Sequence, residues 1–195
     1  MMQPGDKKAL AIIGAVVVAA LVIIAGATTL LVRGHEKPLP TISFQAGDHL
    51  TRAEPSYWCS VKMDDCRLVD RNGKFKLRTY DHPVAIGERV TLSVPKEISD
   101  GPWTLIAEYA TPRGIARVMW LHLPGTTFTQ ILHSEPDRVL MGVEVSSISA
   151  YREKTPGQDN DSLDVDLSIR GTFSIRTLPV DFRIPNTATL PDQRG

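Results

Sequence analysis

The chain of 195 residues carries no excess of charge: 22 Lys and Arg stand against 22 Asp and Glu. Without a net field it cannot collect nucleic acid, so DNA and RNA are excluded as main partners. Aromatic residues make up 6%, short of a sugar- or base-stacking specialist. Two cysteines are too few for a disulfide-dense scaffold or a four-cysteine zinc site. The five histidines (His35, His49, His82, His122 and His133) form no H-x-x-x-H, H-E-x-x-H or H-x-H pattern, which excludes zinc by local motif. No G-x-S-x-G, Gly-rich phosphate loop or S-x-x-K is present. The expectation is a protein without catalytic activity, cofactor or metal.

A calcium loop also fails. Asp159, Asn160 and Asp161 open such a loop, but its sixth and twelfth positions are Asp164 and Arg170 instead of Gly and Glu.

What the chain does have is uneven. Residues 9–32 contain no charged side chain and are mostly Ala, Val, Ile and Leu. At about 1.5 Å per helical residue this run spans roughly 36 Å, enough to cross a hydrocarbon core of about 30 Å. Lys7 and Lys8 precede it like the positive end of an export signal, and Ala25-Gly26-Ala27 fits a cleavage site. The run continues past that site through Leu30, Leu31 and Val32, which favours an uncleaved signal anchor in the lipid bilayer.

Flanking charge leaves orientation nearly tied, with Lys7 and Lys8 on one side and Arg33 and Lys37 on the other. Cys59 and Cys66 favour one answer. An even pair at short spacing beside an export signal suggests a disulfide on the oxidising side, worth about 2–3 kcal/mol on the chain-entropy model. Two unrelated thiols, or half of a metal site with His49 or His82, are the alternatives. The disulfide reading places the protein in the plasma membrane as a single pass, N-terminus cytoplasmic.

The expected organisation is a cytoplasmic N-terminus (1–8), a transmembrane signal anchor (9–32) and a stalk (33–40) kept extended by Pro38 and Pro40. A β-sandwich ectodomain (41–182) and a loose C-terminal tail (183–195) rich in proline and polar residues follow. The β reading rests on alternation. Leu163, Val165, Leu167, Ile169, Phe173 and Ile175 alternate with polar residues, with Gly171 marking a bulge or bend. Val139, Met141, Val143 and Val145 alternate likewise, and the polar stretch 153–162 joins the two as a long hairpin. Further strands are expected at 41–45, 50–53, 57–62, 74–80, 89–94, 103–109, 115–123 and 128–132, with a helical turn at 96–100. Turns every ten residues or so indicate an antiparallel, all-β, immunoglobulin-like sandwich, with a small barrel as the alternative.

Two segments carry a resemblance: Tyr-Trp-Cys-Ser-Val-Lys-Met-Asp-Asp-Cys at 57–66, and the strand-Pro-turn-Trp unit at 87–109. With the apolar N-terminus, they resemble an uncharacterised family, a domain of unknown function, of exported proteins from mycolic-acid-bearing actinobacteria. The resemblance covers about residues 40–150 and implies an envelope location and an anchored β-rich ectodomain. It implies no activity and supplies no catalytic residue.

The function expected is an interaction or accessory subunit docking onto another envelope or membrane protein. The first candidate contacts are Tyr57 and Trp58, with Gln158, Asp159, Asn160 and Asp161 at the hairpin tip. Core packing is the ordinary reading for Trp58. The alternative function is a module binding a lipid or cell-wall glycan in a pocket between the sheets, with Arg117 or Glu108 as polar groups.

Overall fold

The computed structural model describes residues 4–33, 37–70, 72–149 and 168–195. The chain divides into two compact units, one up to Pro38 and one from Leu39 onward. The first is helix α1 (Pro4–Arg33), whose stretch Ile12–Leu31 has a mean hydropathy of 2.5. The Thr29 hydroxyl donates to the Ala25 carbonyl at 2.8 Å, and Thr28 donates to Ile24. Both hydroxyls are thus satisfied inside the helix, as a lipid-embedded segment requires. The helix is long and apolar enough to cross a membrane, as an anchor or as a signal.

The second unit is built from strands because its apolar residues recur at period two. Its smaller sheet contains β1 (Ile42–Ala46), β2 (His49–Ala53), β6 (Arg89–Ser93) and β9 (Thr129–His133), in the order β2-β1-β6-β9. Its larger sheet contains β3 (Trp58–Cys59), β4 (Cys66–Arg67), β7 (Trp103–Thr111), β8 (Gly114–His122), β10 (Val139–Ile148), β11 (Ile169–Arg176) and β12 (Gln193–Arg194). The order is β12-β8-β7-β10-β11-β3-β4, with β5 (Thr79–Asp81) joining β11 in parallel. One turn of helix, α2 (Lys96–Ser99), links β6 to β7 and buries Ile98.

The two sheets share one core, sandwich-fashion. Ile42, Phe44, Val90 and Leu92 meet Trp103, Leu105, Val145, Phe173 and Ile175 there, and these side chains fill the interior. Arg117 and Glu108, named as polar groups for a ligand pocket between the sheets, are not among these core residues.

Three local readings also change. β3 is two residues long instead of six, because Cys59 pairs with Cys66 and the chain turns back at once. Met141 does not alternate inward: the register shifts between Leu140 and Gly142, making Met141 the extra residue of a bulge. The tail 183–195 is not loose. Ile115 N–H donates to the Ala188 carbonyl at 2.7 Å, Leu190 N–H returns a bond to Ile115 at 2.9 Å, and β12 pairs with Val118 and Met119 in parallel. The tail satisfies backbone groups that the edge of β8 would otherwise leave open.

β10 and β11 pair antiparallel, and the bulge expected near Gly171 lies beside it, where Ser147 faces Gly171 and Ile148 faces Ile169. Leu163, Val165, Leu167 and the hairpin tip, Gln158 to Asp161, lie outside the described residues.

Candidate functional site

Alternation on the larger sheet turns one set of side chains outward. On β7, Leu105 and Ala107 are buried while Ile106 and Glu108 face away from the core. On β8, Ala116 and Val118 are buried while Arg117, Met119 and Leu121 face outward. Register then sets these residues in rows across the strands. One row runs Arg117, Glu108, Gly142, Arg176, Asp81; the next runs Met119, Ile106, Glu144, Ser174, Thr79.

Gly142 leaves a gap in the charged row. The gap is the floor of a groove of about 260 Å³, walled by Ile106, Met141 and Glu144. An ion pair stands at each end: Arg117 to Glu108 at 3.2 Å, and Arg176 to Asp81 at 2.6 Å. The Asp81 hydrogen bond, reinforced by its charge, raises the Arg176 guanidinium further above its ordinary value. The two ion pairs cancel, and Glu144 adds one carboxylate to the groove wall. Glu108 and Arg117, expected inside a pocket between the sheets, instead pair on the outer face.

Beside the groove the face is apolar. Met119, Leu121 and Leu123 are 42%, 58% and 61% exposed in one row along and just beyond β8. Tyr57 contributes from the other side: its hydroxyl donates to the Ile169 carbonyl at 3.0 Å, and its ring lies 4.3 Å from that of exposed Phe75. Burial, and then the Glu144 charge, push the Tyr57 phenol up.

Trp58 does not belong to this face. It is 7% exposed, packs edge-on against Phe173 at 6.2 Å, and has the Arg170 guanidinium stacked on it at 4.3 Å. Burial pushes Arg170 down. The expected Tyr57–Trp58 surface patch is therefore corrected, because the sheet aims the indole into the core. Phe75, Met119, Leu121 and Leu123 were not anticipated as contacts. For the last three the signal was the strand at 115–123, which is apolar on both faces although a one-sided strand should alternate.

Two histidines are structural. His122 stacks on Trp103 at 4.0 Å between ring centroids, and burial lowers its pKa. His82 Nδ1 lies 2.7 Å from the Thr51 hydroxyl; burial, with His49 nearby, lowers it despite Glu88. Among the described residues, no three His, Cys, Asp or Glu side chains converge as metal ligands do.

The chain is 38% identical over 108 residues to uncharacterized proteins of Mycobacterium bovis and of two strains of Mycobacterium tuberculosis. The match covers 54% of this chain and 62% of each relative, so it spans less than two thirds of their length. No solved structure matches. Residues 35–175, nearly the whole described β unit, match the model of one family, and the chain belongs to it: Protein of unknown function (DUF2771).

Proposed function

We propose that this is a single-pass envelope protein, N-terminus cytoplasmic, whose outward-facing, immunoglobulin-like β unit acts as a non-catalytic interaction or accessory subunit. Its partner is another membrane or envelope protein, docked on the outer face of the larger sheet. The observation that carries the reading is the row of Met119, Leu121 and Leu123, exposed on β8 with the ion-paired groove beside it and the Tyr57–Phe75 pair at the far side of the same sheet. Apolar side chains flanked by aromatic and paired charged groups are what a protein interface buries at its centre and rim. The disulfide supports an oxidising compartment, and α1 supports membrane confinement, which raises the effective concentration of a co-resident partner.

A lipid or glycan module is the second reading, favoured by the groove itself. At about 260 Å³ the groove is below the usual range of roughly 300–1,000 Å³ for enclosed ligand sites. It suits a few side chains of a docked protein better than a lipid. The test is gentle extraction of the tagged full-length chain with mass spectrometry of what co-purifies, for wild type and Leu121→Asp. A stoichiometric membrane protein lost in the variant supports docking. A bound lipid or glycan without protein moves the assignment to the second reading, and a partner unaffected by the variant removes this face. Protease shaving of intact cells tests orientation: a protected β unit overturns the outward placement.

A further inference from the structure

The edges of the two sheets are treated unequally. In the larger sheet, β8 is covered by β12, and β11 is covered by β3 and β5. In the smaller sheet, β2 carries Arg52 and is bracketed by Asp48 and Glu54. That leaves as outer strands only the two-residue β12 and β4 in the larger sheet, whereas the other edge of the smaller sheet, the five-residue β9, reads Thr-Gln-Ile-Leu-His. It has no Asp, Glu, Lys, Arg or Pro and no register shift against β6. Charge, proline, bulges and covering strands are the devices that keep sheet edges from pairing, and among the described residues β9 has none of them.

The direction of its backbone groups follows from period two. Val94 N–H donates to the Phe128 carbonyl at 2.9 Å, and Ser134 N–H donates to the Glu88 carbonyl at 3.0 Å. Residues 128, 130, 132 and 134 therefore point their main-chain groups at β6. Thr129, Ile131 and His133 point theirs away, where no other strand pairs with them among the described residues. Ile131 is 48% exposed, and among the described residues its carbonyl receives the Gln130 side chain at 3.4 Å.

We infer that β9 is a self-pairing edge, which joins two copies of this chain into one continuous sheet across a two-fold axis at Ile131. Antiparallel pairing about that axis sets Ile131 against itself and Thr129 against the partner's His133. It closes about six backbone hydrogen bonds from groups already aimed outward. The flanking rows accept it: Arg89 faces His133 and Thr91 faces Ile131 on β6, so the two-fold brings no like charges opposite each other. The inference is independent of docking on the outer face, which belongs to the other sheet. It rests on the anchored reading only for its strength in the cell, since edge pairing buries little area and gains from membrane confinement.

The test is sedimentation of the full chain in detergent micelles at up to about 100 µM, a range that detects weak dimers. Wild type is expected to be dimeric. Ile131→Pro removes an N–H that β6 does not use, and Ile131→Lys sets two charges face to face across the axis. Each is expected to weaken the dimer at least tenfold, and Ile131→Lys is expected to keep the wild-type melting temperature. Ile131→Cys is expected to cross-link to itself with a short bismaleimide. A monomeric wild type overturns the inference. So does a dimer that both substitutions leave intact, as a dimer joined through α1 would be, and so does a dimer in which Ile131→Cys fails to cross-link.

Discussion

Gly171 pairs with Trp58 across the edge of the larger sheet, and the indole lies in the space a side chain at 171 would fill. A Cβ built there would stand 2.9 Å from Trp58 Cζ3, closer still to Cε3, and 3.0 Å from the Tyr57 carbonyl. Two of these are atoms of a packed ring and one is backbone, so none can swing aside cheaply. Gly171→Ala must push Trp58 away from Phe173 and from the Arg170 guanidinium stacked on it. The expected cost is about 1–3 kcal/mol, the usual range for overpacking. Denaturant titration checks it, and a midpoint equal to wild type would show that the indole has room to move.

The Cys59–Cys66 bridge acts next to that contact, closing the loop that turns β3 back into β4. Removing so short a cross-link is expected to cost about 2–3 kcal/mol through the entropy regained by the unfolded chain. Cys59→Ser with Cys66→Ser should lower the denaturant midpoint by that equivalent, and reductant should reproduce the shift in wild type but not in the variant. Because Trp58 adjoins Cys59, tryptophan emission should shift in the same experiment.

Acid should weaken the β unit through its two buried imidazoles. Burial lowers both His82 and His122 in the folded state, whereas in the unfolded chain each regains a pKa near 6.5. Between the folded and unfolded values the unfolded chain binds more protons. The stability is therefore complete above about pH 6.5 and is lost as pH falls toward the folded values, by at most about 1.4 kcal/mol per pH unit for each histidine. Melting curves from pH 7.5 to 5 check this. The paired variant His82→Gln and His122→Gln should show a shallower fall, while an unchanged slope would assign the acid sensitivity to carboxylates.

The sequence made the inner strands legible because their signal is local. On β7, Trp103, Leu105, Ala107 and Tyr109 alternate, and every one is buried. It hid what depends on distant pairing. β3 and β5 are two- and three-residue strands, formed because β11 offers its edge, and nothing within 57–62 or 74–80 says where pairing stops. The Met141 bulge shifts an apolar residue from core to groove without changing composition. At the candidate face, Arg117 and Glu108 were visible as polar groups, but only the β7–β8 register sets them opposite one another. Which face they occupy is set by the inward turn of Ala116 and Val118, side chains small enough to escape a search for large core residues.

The tail gives the last prediction, because composition and structure disagree there most. Prolines and polar residues from 183 onward read as loose, yet the order comes from main-chain bonds, which leave no mark on side-chain composition. Ala188 and Leu190 bond Ile115, Gly195 N–H donates to Met119 at 3.0 Å, and the chain end lies against the Trp120 indole. Gly114, at φ +142°, lets the Ala188 carbonyl approach where a Cβ would collide with it. Ending the chain after Asn186 should cost about 1–3 kcal/mol for the several backbone bonds lost, at about 0.5–1.5 kcal/mol net for each. It should also shift Trp120 emission to the red and open the β8 edge to association at high concentration. Gly114→Val should produce the same red shift in the full-length chain by blocking Ala188. An unchanged melting temperature and emission in both variants would return the tail to the loose state its composition suggests.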